Sequence, residues 1–221
     1  MVRMSQEERT LSILQAATHV MARHGYHAAR VSEIARRARV AEGTLYLYFP
    51  SKEEILISLF RDGIGHYLAE LDRELATSSS PEASIGIVIA SHLGYLEDHP
   101  DFAHVTQLEL RQPTSRIREA VNAIIAPYLQ RIEHLVEQGQ TAECFDPTID
   151  PRVARDMIFG TLDACVTTWV MSRHPYRLRS VTEPVRHLVL GGLASPPIPP
   201  GPIRDDAGPD QGIRESGNRG P

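Results

Sequence analysis

Lysine is almost missing from this chain of 221 residues: Lys52 is the only one. With arginine at every other cationic position, that single ammonium is either an accident of composition or a place where a compact charge suits better than a planar fork. Cysteine is scarce too. Cys144 and Cys165 lie far apart with no second pair of ligands near either, so neither a disulfide framework nor a zinc site is suggested, and reduced structural thiols are expected. No apolar run reaches the roughly 20 residues of a membrane helix. The opening MVRMSQEERT lacks the basic-then-apolar layout of a signal peptide, so a cytoplasmic chain with no membrane partner is expected. The common enzyme signatures are missing as well: there is no Gly-rich phosphate loop, no G-x-S-x-G and no H-E-x-x-H. No glutamate has a histidine three residues later, as a helical di-iron bundle would need. In EDHPDFAH, Glu97, His99, Asp101 and His104 are interrupted by Pro100 and irregularly spaced, which favours solvated loop residues over a metal site. Neither a metal nor a cofactor is expected, and a helical enzyme stands only as a remote alternative.

What is present is asymmetric. Residues 1–52 hold eight Arg or Lys against four Asp or Glu, a balance of +4, so the remainder of a chain with net charge -5 carries -9. A basic module on an acidic body suits a polyanion-binding head. Strand-like alternation is rare, and the chain reads as helix after helix, an all-α fold. Ser5 and Glu8 form a capping box, opening a helix whose face is Leu11, Leu14, Thr18 and Met21 and which ends at Gly25. Further helices are expected over Ser32–Ala38 and Glu42–Phe49, with a turn at Arg39 and Val40 and a stop at Pro50. A second capping box, Ser51 to Glu54, opens a long fourth helix. Ser80-Pro81, Pro100 and Pro113 punctuate the next ones, a long helix spans about Ser115 to Gly139, and Asp150-Pro151 caps another. That helix, PRVARDMIFGTLDACVTTWVMSR, is apolar on more than one face and is expected to be buried on most sides. A last one covers Thr182 to Leu193. These divide into a small basic head over 1–50, a helical body over 51–194, and a Pro/Gly-rich tail over 195–221 that should be disordered.

The second and third helices, with the short turn over residues 39–41 between them, have helix-turn-helix spacing. On a wheel, Leu45 and Phe49 fall together with Val40 and Ile34 as a small core, while Gly43, Thr44, Tyr46 and Leu47 point away. Gly43 leaves room for a DNA strand, Thr44 offers hydroxyl and methyl, and Tyr46 can place its hydroxyl on a phosphate. Tyr48 either packs or reaches the backbone. Arg30, Ser32 and Lys52, at helix starts on either side, suit phosphates. Spacing alone leaves open an ordinary bundle with core tyrosines and a solvated arginine face.

The segment VSEIARRARVAEGTLYLYFPSKEEIL, Val31 to Leu56, resembles the N-terminal domain of TetR-family transcriptional regulators. Two positions depart from that pattern: Arg39 stands where the family usually has glycine, and Ala41 where a capping Ser or Thr is common. The resemblance implies phosphate or base contacts from Ser32, Glu42, Gly43, Thr44, Tyr46, Tyr48 and Lys52. It also implies a homodimer through the last two helices, reading a palindromic operator in double-stranded DNA. GYHAARVSEIA, SKEEILISLF, VTQLELRQ and ARDMIFGTLDACVTTWVM extend the likeness to the TetR-type fatty-acid-metabolism regulators, the FadR group of Gram-positive bacteria. That implies a repressor of fatty-acid degradation genes released by long-chain acyl-CoA; another lipophilic or drug-like effector is the alternative. An acyl chain needs an apolar tunnel, for which Leu93, Leu96, Ile125, Tyr128, Phe159 and Trp169 are candidates, each of which is otherwise plain core. Gln107 and Asp163 are the polar candidates, and Arg111, Arg116, Arg118 and Arg155 are the candidate cations for coenzyme A.

Overall fold

Short polar side chains set the helix starts. In the computed structural model, which describes residues 5–109, 114–173 and 176–194, the first capping box forms as expected. Glu8 N donates to Ser5 Oγ at 3.1 Å and Ser5 N to Glu8 Oε2 at 2.7 Å. Helix α1 (Gln6–Ala28) follows, burying Ile13, Leu14, Ala16, Ala17, Val20 and Met21. Leu11, assigned to this face from sequence, is instead 40% exposed, because it falls outside the arc centred on Ala17. Gly25 sits at φ 78° and ψ 154°, a conformation glycine reaches without strain, and interrupts the helix; a last turn continues to Ala28.

Helices α2 (Val31–Arg37) and α3 (Glu42–Tyr48) lie within a residue of their expected bounds. Ile34, Ala35, Ala38, Leu45 and Phe49 are buried between them and α1, with Val40 half-buried alongside. Helix α4 (Lys52–Leu75) opens on Ser51, whose Oγ accepts from Glu54 N at 3.1 Å. The second half of the expected box is replaced: the Glu54 carboxylate accepts from Arg116 Nη2 at 2.8 Å, a charge-assisted bond that competes well with a neutral amide.

Helix α5 (Pro81–Asp98) starts on the Ser80 cap, and α6 (Pro100–His104) restarts at the proline and runs into a π-helical turn, Val105–Glu109. Pro113, Arg111 and the tail expected to be disordered lie outside the described residues. Helix α7 (Ser115–Thr141) is capped by Thr114 and continues through an internal Pro127. Helix α8 (Pro151–Met171) is capped by Asp150, which accepts from Arg152 N at 2.8 Å. The expectation that α8 is buried on most sides fails within one chain. One stripe, Ala154, Ile158, Leu162 and Val166, enters the core, while Val153, Met157 and Met171 are 56%, 66% and 67% exposed. A 3-10 turn at Leu178–Val181 leads into α9 (Thr182–Ala194).

Regular structure among the described residues is all helical, and none of these helices is long and apolar enough to cross a membrane. Helices α1 to α3 form the head; α4 runs from it into a body where it packs on α5 and α7, with α8 against α7 and α9 against α5. Bidentate ion pairs tie the body together: Arg131 to Asp72 with both bonds 2.7 Å, and Arg179 to Asp98 at 2.9 and 2.5 Å. Each guanidinium holds its partner carboxyl below the usual range. One clasp joins head to body and a second fixes the end of α4 nearest the head. His19 Nδ1 lies 2.8 Å from Asp101 Oδ2, and the start of α7 holds the first turn of α4 through Thr114 Oγ1 to Glu53 Oε1 (2.5 Å) and Arg116 to Glu54.

Candidate functional site

Burial of Leu45 and Phe49 fixes which side of α3 faces solvent. Glu42, Gly43, Tyr46 and Leu47 are exposed, Leu47 to 85%, and Thr44 and Tyr48 are partly so. A Cβ on Gly43 would meet nothing within 4 Å, so this face is open to a broad partner. An exposed leucine and tyrosine on a seven-residue helix with no side-chain N-cap do little for the fold, which leaves them free for contacts outside it. Arg30 and Ser32 are exposed beside this surface at the start of α2. Arg39, in the turn, has φ 57°, the left-handed region that favours the glycine usual at this position.

Lys52 is placed differently from its sequence assignment. Its Nζ donates to His27 O at 2.9 Å and Ala29 O at 3.1 Å and lies 4.8 Å from the centroid of the Tyr26 ring. The ammonium thus clamps the end of α1 to the start of α4, leaving one N–H for an outside acceptor. Two carbonyls and a ring face at different angles suit a rotatable ammonium and not a planar guanidinium.

The effector candidates do not form one cluster. Leu93, Leu96 and Tyr128 are buried at 0%, 8% and 1% exposure, with Phe159 and Ile125 partly buried beside the core. Gln107, 6% exposed, accepts from Thr167 Oγ1 at 2.7 Å. Trp169 is farther along α8, its Nε1 donating to Tyr176 O at 2.9 Å. Arg155 is committed to Glu133 at 2.6 Å and Asp156 at 2.9 Å. Arg118 is exposed about 22 Å away, counted along α7 from Glu133. Those two cations therefore do not share one site, and Arg116 is already held by Glu53 and Glu54.

At the centre of the body, sequence reasoning named Tyr128 and Phe159 but missed Tyr67 and His92. Tyr67, His92 and Tyr128 pack ring to ring there, with centroids 5.2 to 6.0 Å apart, and Phe159 and Tyr95 flank them. His92 Nδ1 is 3.0 Å from Tyr128 Oη, whereas His92 Nε2 and Tyr67 Oη are buried with no partner in hydrogen-bonding geometry among the described residues. Burial lowers His92 to about 4, although the carboxylate of Asp163 pulls the other way, so the imidazole is neutral at ordinary pH. The same burial pushes the phenols of Tyr67 and Tyr128 well above their ordinary value, and Tyr95 to about 12. A histidine inside the apolar run IASHLGYL was the available signal.

Comparison with known proteins places this geometry. Residues 13–59 match the family described as bacterial regulatory proteins, tetR family, and residues 60–192 match the C-terminal region of YsiA-like proteins. The fatty acid metabolism regulator protein of Bacillus subtilis is 38% identical over 183 residues, 83% of this chain and 94% of its own. Among solved structures, the fatty acid degradation regulator FadR from Bacillus halodurans superposes with a TM-score of 0.79 at 41% identity, over 82% of this chain and 98% of that one. FadR from Bacillus subtilis, solved in complex with stearoyl-CoA, gives 0.80 at 38% identity, over 83% and 98%. The head, its exposed reading helix and the whole helical body are shared with these regulators, and the chain belongs to the TetR family of bacterial transcriptional regulators.

Proposed function

We propose that this protein is a homodimeric repressor of fatty-acid degradation genes that leaves a palindromic operator when it binds a long-chain acyl-CoA in its helical body, acting in the cytoplasm as a regulator and not as an enzyme. The observation that carries this reading is the likeness to fatty-acid regulators at 38% identity through both head and body. Physical features support it. The exposed face of α3 offers Gly43, Thr44, Tyr46 and Leu47 to a groove, with Tyr48 and Glu42 at its edges and Arg30, Ser32 and the spare donor of Lys52 toward the backbone. On α8 and α9, Val153, Met157, Met171 and Leu188 are exposed apolar side chains of the kind a second copy covers. A dimer supplies the second head that specific affinity requires.

Within the body, Leu93, Leu96, Ile125, Tyr128 and Phe159 supply apolar surface for an acyl chain, with Gln107 and Asp163 as its polar groups, while Trp169 stands apart, farther along α8. Arg118, in the first turn of α7, is a cation for a coenzyme A phosphate, with Arg111 a candidate from outside the described residues; Arg155 is the weakest of the set because its charge is already matched. Effector and DNA select different states of one dimer. A change of 10² to 10⁴ in operator affinity needs roughly 3 to 5.5 kcal/mol of differential effector binding. The test is fluorescence anisotropy on duplex DNA from upstream of the protein's own gene, titrated with stearoyl-CoA, stearic acid and coenzyme A. Release by stearoyl-CoA alone is expected. Tight DNA binding untouched by all three removes the acyl-CoA reading and points to another lipophilic or drug-like effector.

A further inference from the structure

Arg39 is an unusual occupant of its turn. At φ 57° a side chain brings strain that glycine would not, and none of the described residues of the head engages its guanidinium. It lines an open cleft of about 620 Å³ with Arg9 of α1, Arg37 at the end of α2, Ser12 and Thr44. None of Arg9, Arg37 and Arg39 has an ion-pair partner among the described residues, while Arg36 beside them reaches Glu33 at 3.9 Å. Three like charges around one cleft repel each other unless an anion joins them. The cleft shares Thr44 with the reading helix, and it lies at the opposite end of α1 from the Lys52 clamp, roughly 24 Å away counting from Arg9 to Gly25.

We infer that this cleft is a second phosphate clamp: Arg9, Arg37 and Arg39 neutralise operator backbone on the flank of α3 away from Lys52, so that cations bracket the reading helix on both sides. Strain at Arg39 is then retained because the turn adds a third charge to that flank, beside those of Arg9 and Arg37. This deepens the DNA-binding reading above and rests on it.

The measurement is the salt dependence of DNA binding by the full chain, by fluorescence anisotropy between 50 and 200 mM potassium chloride. Both the upstream duplex and an unrelated duplex are used, because a backbone contact acts on each. Arg39→Asn removes the charge with a residue that tolerates left-handed backbone; Arg39→Lys keeps a charge. Each head that neutralises one phosphate fewer lowers the slope of log K against log salt by about 0.9, or about 1.8 for a dimer. The affinity advantage of the wild type over Arg39→Asn should therefore shrink about twelvefold across this range, with Arg39→Lys keeping most of the wild-type slope. A melting temperature of Arg39→Asn at or above wild type shows that folding is not the cause. Equal slopes for wild type and Arg39→Asn overturn the clamp while leaving DNA binding intact. If the wild type binds neither duplex, the DNA-binding reading itself has failed, and the clamp with it.

Discussion

Replacing Lys52 by methionine tests whether the only lysine holds the head to the body. Methionine keeps most of the apolar stem and deletes the ammonium, so two carbonyl acceptors and one ring face lose their cation. Hydrogen bonds to charged groups contribute about 1.5–3 kcal/mol each. The bond to His27 O is exposed, so water replaces much of it, whereas the bond to Ala29 O is partly buried and falls nearer that range. The ring contact adds about 0.5–1 kcal/mol. A net loss of about 2–3 kcal/mol follows, which for a chain of this size lowers the melting temperature by about 4–12 °C. Helical circular dichroism at fixed protein concentration reads it, the concentration being held because dimerisation shifts the midpoint. Lys52→Arg should give an intermediate loss, since a planar fork cannot converge on both carbonyls and the ring. A melting temperature within about 2 °C of wild type, with operator affinity nonetheless reduced, would refute the clamp and make Lys52 a phosphate contact alone.

Acid should weaken the fold through His92. Its folded value is about 4 against about 6.5 unfolded, so the unfolded chain takes the proton first and stability falls as pH drops from about 6.5 to 4. Between pH 7 and 4.5 that amounts to about 2 kcal/mol; urea unfolding should show this acid-side loss reduced in His92→Gln, and parallel pH profiles for the two proteins would refute it. Met157→Arg places a charge in the exposed stripe of α8 and should yield a monomer by sedimentation equilibrium, with operator affinity down more than tenfold. A variant that remains dimeric would remove α8 from the interface.

The parts legible in the sequence are those fixed by local chemistry. Ser5, Ser51, Ser80 and Asp150 mark helix starts because a short oxygen-bearing side chain satisfies backbone donors within three residues of itself. The exposed face of α3 was likewise readable, since the period of the helix and one buried pair, Leu45 and Phe49, determine it. Partners far along the chain were not. Glu54 has the spacing of a capping residue, and only the folded chain brings Arg116, 62 residues away, to take its carboxylate. The clamp that Lys52 makes was equally hidden, because His27 and Ala29 come to present their carbonyls to it only in the folded chain. His92 is polar by composition but is enclosed by rings from α4, α7 and α8, an arrangement that depends on how the helices cross. The outward stripe of α8 reads as core because Val153, Met157 and Met171 are apolar, and only the folded chain shows that they face outward.

Helix α4 can also be considered as a beam with two supports. It is held near one end at Lys52, Glu53 and Glu54 and near the other at Asp72, 20 residues later, or about 30 Å along the axis. Pivoting the beam by about 5° at Asp72 swings its first turn by about 2.6 Å, close to the 3.4 Å rise of one base pair. Two mirrored beams would change the separation of their heads by about 5 Å, more than one rung of the ladder on which both must stand at once. Such a protein has no need to unfold or to reshape its reading surface in order to let go: a displacement of the body smaller than the width of a side chain becomes, at the far end of the beam, a miscount of base pairs.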